Sequence, residues 1–362
     1  LRVNEQGTVS PAEVRFRSLT RDDEGRIIEL LRVAIYGAGF PDLAAYWRWK
    51  HYENPFGESF GLVAEVEERI VGLRVFMRWH LRAGGRVVRT GRAVDTAVHP
   101  DWRRRGFFER MTLGMVEPMT AQGLDLTFNT PNAMSLPGYM KMGWADLGRL
   151  PLRVRVRRPL RLLRGVAGSR GLTRADADGS GEVDNGRVSA LLRDSAVIQL
   201  VEEVDAARAA PAAEAPGAAA LPRAARLRTV LTPEYLEWHY GRNRWVQYEA
   251  AYDVRGAEAA LIIGRPRSRG GLTELLIAEV VASPTRRGSA AAARVAAQLA
   301  SRVGADYVAV SGLGDTFGLR LGYVPVGRRG IDVTLRPLHP SLPVDPTSWA
   351  GWAAGIGDLE LF

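Results

Sequence analysis

Three short stretches recur, in the same order, in the two halves of the chain. YLEWHYGRNRW at 235–245 echoes YWRWKHYENPF at 46–56. Each sets a tyrosine, a tryptophan three positions later, and then an aromatic-bearing turn with asparagine. Downstream, AEVVASPTRRG (278–288) echoes DTAVHPDWRRRG (95–106), and FGLRLGY (317–323) echoes GYMKMGW (138–144). The offset falls from 189 residues at Tyr46/Tyr235 to 179 at Gly143/Gly322, as expected of a slightly shorter second copy. An internal duplication limits the fold, because the same supersecondary units must form twice. The 362 residues also exceed what one hydrophobic core usually holds.

Within the first copy the patterns are those of a mixed α/β domain. VRFRSLT (14–20) has strand character, and DDEGRIIELLRVAIYG (22–37) has early acids, helical apolar spacing and a glycine stop. AAYWRWKHYENPFG (44–57) predicts a short aromatic helix broken at Asn54-Pro55. Residues 61–100 are strand-rich, with turns at Glu67-Glu68 and Gly84-Gly85 that make an antiparallel meander. A helix over 106–123, a strand over 124–130, a short helix within 135–144 and an alternating strand over 151–159 follow. The expected fold class is α/β of the α+β type: two tandem domains, each a mostly antiparallel mixed sheet flanked by helices. Their expected limits are 1–160 and 227–340. An Arg-rich, then Ala/Pro-rich linker or excursion fills 161–226, and a tail closes the chain at 341–362. Residues 206–226 hold twelve alanines and three prolines, which marks that stretch as low-complexity.

Composition narrows the chemistry. There is no cysteine, which excludes disulfides, thiolate metal sites and a cysteine nucleophile. No apolar run approaches the ~20 residues of a membrane span, and no export signal is seen, so a cytoplasmic protein without a membrane partner is expected. The net charge of +9 points to an anionic partner only weakly. Of 49 basic residues only Lys50 and Lys141 are lysines, a bias that fits base composition better than a surface made for nucleic acid. No groove-reading motif accompanies it, so no specific nucleic-acid partner is expected.

VHPDWRRRGFF, residues 98–108, joins a strand to a helix. Such a turn offers backbone N–H groups to an anion, its glycine permits close approach, and Arg103, Arg104 and Arg105 add charge-assisted donors. Read alone, it is equally a solvated basic turn. About thirty residues on comes NAMSLPGYMKMGW, with Asn132, Ser135, Tyr139, Lys141, Gly143 and Trp144 at offsets 0, 3, 7, 9, 11 and 12.

With this pair the chain resembles the GNAT superfamily of acyl-CoA-dependent N-acyltransferases, which carries V-x-P-x-x-(R/Q)-x-x-G-x-(G/A) followed by N-x-x-(A/S)-x-x-x-Y-x-K-x-G-(F/W). The resemblance spans roughly residues 14–158 and, more faintly, 227–338. Phe108 departs from the pattern where the family has glycine or alanine. The resemblance implies acetyl-CoA or another acyl-CoA as co-substrate, no metal, and a small-molecule or peptide amine as acceptor. It implies that the amides of Arg104, Arg105, Gly106, Phe107 and Phe108 hold the pyrophosphate, with Arg103 at the Arg/Gln position. The strand end Thr96, Ala97 and Val98 would pair with the pantetheine arm, and Asn132 and Ser135 would lie beside it. Tyr139 would protonate the departing thiolate. Direct transfer needs no enzyme nucleophile, so the lack of cysteine is no obstacle. The incoming amine must lose a proton, and Asp95, on the strand leading to the turn, is the candidate base. Asp95 is also read as a carboxylate that only bonds a neighbouring strand. The expected function is N-acetyl transfer; a longer-chain acyl transfer and a non-catalytic CoA- or protein-binding module are the alternatives.

The second copy reads as worn. Gly318 stands over Tyr139, Ser311 over Asn132 and Thr285 over Arg103. Tyr46, Trp49, Tyr52, Trp238 and Tyr240 either line an acceptor cleft or pack helix on sheet. DADGSGEVDNGR (176–187) resembles a calcium loop, but Arg187 stands where a bidentate glutamate is needed. Oligomeric state stays open, a homo-oligomer included.

Overall fold

A computed structural model describes residues 2–3, 9–10, 14–168, 182–210, 225–255, 258–283, 285–311, 322–327 and 330–359. The strands of its two large sheets are β1 (Arg15–Ser18), β2 (Phe60–Val66), β3 (Arg69–Ala83), β4 (Arg86–Val98), β5 (Leu126–Asn129), β6 (Ala145–Arg149) and β7 (Leu152–Val156) in the first half. The second half supplies β8 (Glu249–Arg255), β9 (Glu258–Arg269), β10 (Leu272–Ala282), β11 (Tyr307–Ser311), β12 (Val324–Pro325) and β13 (Asp332–Pro337). The expected meander is present. Its turns carry the left-handed backbone that tight hairpins need, with φ of 47° and 66° at Glu67 and Glu68 and 56° and 80° at Gly84 and Gly85.

The helices that matter below are α1 (Glu24–Leu31), α2 (Leu43–His51), α3 (Phe107–Leu113), α4 (Val116–Ala121), α5 (Leu136–Lys141), α6 (Pro159–Gly168), α7 (Gly186–Leu192), α8 (Ser195–Ala209), α9 (Pro233–Leu236), α10 (Arg286–Arg302) and α11 (Ile356–Leu359). The single helix expected over 106–123 is two, α3 and α4, parted at Gly114.

The first sheet has the order β1-β2-β3-β4-β5-β13-β6, with a two-residue strand at Arg228–Thr229 on the side of β3. The second has the order β8-β9-β10-β11-β7-β12. Both are antiparallel except at one place each, β4 with β5 and β10 with β11. Each sheet takes a strand from the other half. β13 lies between β5 and β6, and β7 lies between β11 and β12. The boundaries expected at 160 and 340 therefore do not separate the sheets. A strand's alternation shows that it will pair, not with which partner.

Two further expectations change. The segment 161–226 is not merely a linker: in α7 and α8 Val188, Leu192, Val197, Leu200, Val201 and Val204 are buried in the main core. The alanine-rich stretch just beyond hid this spacing; residues 211–224 lie outside the described ones. Nor is 341–362 a loose tail, since Val344, Trp352 and Leu359 join the same core.

That core runs between the sheets. At its centre Trp49 and Trp238 stack with ring centroids 5.3 Å apart. Each indole N–H donates to the other residue's backbone carbonyl, at 2.9 and 2.8 Å. Asn54 and Asn243, also 189 positions apart, each accept from the amide two residues on, at 3.0 Å in both cases. The contact between the halves is thus built like the isologous interface of a two-fold dimer.

Candidate functional site

The site begins where β4 and β5 part. They pair only from Thr90 to Arg92 against Leu126 to Phe128. β5 stops at Asn129, while β4 continues to Val98 with β3 on its other side. Between Arg74 and Val75 the β3–β4 register slips by one. Asp95 is the extra residue, at φ 34°. A bulge of this kind bends the strand and re-aims its side chains. The result is a cleft of about 670 Å³ along the free edge of β4. Ala93 to Thr96 on β4 line it, as do Asn129 to Asn132 with Ser135, and Phe108, Gly138 and Tyr139. Tyr36, Lys50, Arg74 and Arg92 complete the lining.

Tyr139 is buried on α5. Its ring meets Phe108 edge-on at 5.3 Å and Trp144 at 5.6 Å. Its phenol oxygen accepts from Nη2 of Arg74 at 2.7 Å. Phe108, the departure from the family pattern, has a clear role. It fills the space above Gly138, where an added Cβ would lie 2.9 Å from its ring. It thereby ties the helix after the arginine turn to the helix carrying Tyr139.

Asn132 and Ser135 line the cleft and also build its rim. Asn132 Oδ1 accepts from the amides of Met134 and Ser135 at 3.0 and 2.9 Å, and the Asn132 amide donates to Ser135 Oγ.

Asp95 lies in the lining but is fully engaged. Its Oδ2 is 2.7 Å from Lys50 Nζ and 2.9 Å from His51 Nε2, and Oδ1 accepts from Tyr36 at 3.3 Å. Burial pushes the Asp95 carboxyl up, but the Lys50 charge and the His51 bond outweigh it and hold the group well below the usual carboxylate range. Burial pushes Lys50 and His51 down, and Tyr36 up.

Not every expected residue reaches the cleft. Alternation along β4 turns Thr96 toward it and Ala97 into the main core. Val98 and Phe107 pack with Ala64, Val71 and Met111, so only their backbones can serve a ligand. The turn itself is exposed. Arg103 donates to the carbonyls of Val98 and Ala34, both at 3.3 Å. Arg105 donates to Asp101 O and covers the Trp102 ring at 4.5 Å. Arg104 and Gly106 take left-handed backbone, φ 62° and 75°, and an added Cβ at Gly106 would meet nothing within 4 Å.

The sequence echo of this turn lies at the start of α10. There the Thr285 side chain accepts from the Gly288 amide at 3.0 Å, so the helix caps itself. Gly318 lies outside the described residues, as does the first half of the calcium-like loop, residues 176–181. Tyr46, Trp49, Trp238 and Tyr240 are core residues that pack the two halves together rather than line the cleft. Among the described residues no cluster of three or more potential metal ligands occurs, and no helix is long and apolar enough to cross a membrane.

Sequence reasoning passed over Arg74, Lys50, His51, Tyr36 and Arg92. Two signals were present. Lys50 is one of only two lysines, and Arg74 interrupts the apolar run IVGLRVFM.

Residues 15–146 match the model of the acetyltransferase (GNAT) domain. Among solved structures, a probable N-acyltransferase from Enterococcus faecalis superposes with TM-score 0.59 at 12% identity, covering 90% of this chain and 73% of that one. A GCN5-related N-acetyltransferase from Anabaena variabilis gives TM-score 0.56 at 15% identity, with coverage of 90% and 73%. Another, from Kribbella flavida, gives 0.53 at 15% identity, with coverage of 90% and 71%. At such identities the likeness is one of fold. No curated protein matches the chain.

Proposed function

We propose that the protein transfers the acetyl group of acetyl-CoA to a primary amine by direct attack, with Tyr139 as general acid. The observation that carries this reading is the position of Tyr139, buried in the lining of a cleft that runs along an open strand edge. The free N–H and C=O groups of Ala93 to Thr96 suit an extended, amide-bearing arm laid beside them as another strand would be. The turn from Arg104 to Phe108, exposed as far as Gly106, is the part of the site suited to a pyrophosphate. A buried phenol close to the departing sulfur can supply the proton that a thiolate needs.

Asp95 suits a different task from the base expected of it. Held ionised by Lys50 and His51, it is a weak proton acceptor, and its carboxylate fixes the bulge that opens the cleft. On this reading the acceptor amine attacks as its free base.

We further read the second half as a degenerate copy of the first. The reciprocal Trp49–Trp238 bonds, the matched Asn54 and Asn243 turns and the equivalent sheet orders support duplication. The self-capped turn at Thr285 supports loss of the second CoA site.

Calorimetry with acetyl-CoA and octanoyl-CoA tests the co-substrate. Binding of acetyl-CoA in the micromolar range is expected, and none at millimolar ligand would refute the proposal. Tyr139→Phe should keep that affinity and slow release of free CoA thiol by ~10²-fold or more, the usual scale of general acid catalysis. Unchanged turnover would remove Tyr139 as the acid.

A further inference from the structure

Arg74 sits in the middle of β3, directly across from Thr96, and is 1% exposed. Among the described residues it forms no ion pair. Its guanidinium donates through Nη1 to Thr96 Oγ1 and through Nη2 to the Tyr139 phenol, while its buried Nε has no partner. Aromatic faces surround it, with Phe76 at 4.6 Å, Tyr139 at 5.6 Å and Phe108 at 5.7 Å. A buried charge held by neutral groups alone is costly. Arginine cannot escape by losing its proton. Such a cation in a cleft wall asks for a function.

We propose that Arg74 is a positioning residue that aims and arms Tyr139. The inference rests on the reading of Tyr139 as the acid. A guanidinium only donates. The Tyr139 oxygen that accepts from it must therefore turn its own hydrogen elsewhere, and the side of the phenol left open by Phe108, Trp144 and Arg74 is the cleft. When the amine nitrogen has bonded to the acyl carbon, the carbon–sulfur bond breaks and its electron pair goes to sulfur. Sulfur then takes the phenol proton. The phenolate left behind lies against Arg74, a preset positive charge in a dry setting, where such stabilisation is strongest. The proton released by the amine later restores the phenol through solvent. Thr96 fixes the other arm of the guanidinium, so the free edge of β4 and the acid share one support.

The test compares Arg74→Met, Arg74→Lys, Tyr139→Phe and the Arg74→Met/Tyr139→Phe double variant. The readouts are acetyl-CoA affinity by calorimetry and release of free CoA thiol, with a panel of amines or with water as acceptor. Arg74→Met should lower kcat by ~10²-fold with KM and affinity for acetyl-CoA within about threefold of wild type. Arg74→Lys should recover about tenfold of that loss, and the double variant should be no slower than Tyr139→Phe. Acetyl-selenocoenzyme A, whose selenolate leaves without a proton, should largely erase the Arg74→Met defect. A mere packing defect would move affinity and persist with the selenoester. Wild-type kcat in Arg74→Met, or single losses that multiply in the double variant, would overturn the role of Arg74 while leaving Tyr139 as the acid. A Tyr139→Phe variant as fast as wild type would overturn both. If Arg74→Met does not fold, Arg74→Lys and Arg74→Gln carry the comparison: charge retained should outperform charge lost, and equal rates would overturn the proposal.

Discussion

Replacing Asp95 with asparagine separates an anchor from a base. The carboxylate is 8% exposed as a side chain and faces Lys50 at 5% and His51 at 1%. Asparagine keeps the shape and removes the charge, leaving the ammonium of Lys50 without the anion at 2.7 Å. Removing one member of a buried pair typically costs about 3–5 kcal/mol. The bond to His51 at 2.9 Å is weakened as well, which favours the upper part of that range. With a urea slope of ~3 kcal/mol/M, the midpoint should fall by about 1.3–1.7 M. The pH dependence has a definite sign. The folded pKa of Asp95 is depressed, so its contribution is complete above the unfolded value of ~3.9 and is lost as pH falls through the folded one. The gap between wild type and Asp95→Asn should be constant from pH 7 to 8 and close in acid. His51, pushed down by burial, favours the folded state increasingly as pH rises toward ~6.5 in both proteins, so the comparison belongs above that value. The Lys50→Met/Asp95→Leu double variant should regain most of the loss, since an apolar pair can replace a buried ionic one. If Asp95→Asn keeps the wild-type midpoint while thiol release falls a hundredfold, the anchor argument is wrong and Asp95 is the base.

Two other substitutions probe the frame around the site. Trp49→Phe and Trp238→Phe each leave one buried carbonyl without its indole donor and should each cost about 1–3 kcal/mol in urea unfolding; a loss confined to one of them would contradict the symmetric reading of the interface. Gly138→Ala places a methyl 2.9 Å from the Phe108 ring and should cost about 1–3 kcal/mol by overpacking. Phe108→Leu in the same chain should relieve much of that cost, and a thermal-melt comparison showing no relief would reject the contact as its cause.

The legible part of the sequence was local. The hairpin turns at Glu67-Glu68 and Gly84-Gly85, the strand–turn–helix at Val98 to Phe108 and the tyrosine helix could be read because each is specified by neighbouring residues. The cleft residues that were missed come from afar. Lys50 and His51 arrive on α2, more than forty positions before Asp95, and Arg74 meets Tyr139 across 65 positions. Aromatic spacing marked Tyr46, Trp49, Trp238 and Tyr240, but whether such residues line a cleft or fill a core depends on which sheet face they meet. Here the core prevails, because the two halves pack these helices against each other.

The strand exchange bears directly on function. Thr334 on β13 donates to the side chain of Asn129 at 2.7 Å, at the point where β5 ends and the cleft begins. Arg336, on the same strand, reaches the Met142 carbonyl at the end of α5 and lies over the Trp144 ring. One wall of the cleft in the first half is thus pinned by a strand from the second. A fragment ending at residue 160 would expose both edges that β13 joins, and it would also carry β7 away from its partners in the other sheet. Unpaired strand edges are unstable and prone to wrong pairing. What the second half provides to the site is thus a strand and a shared core.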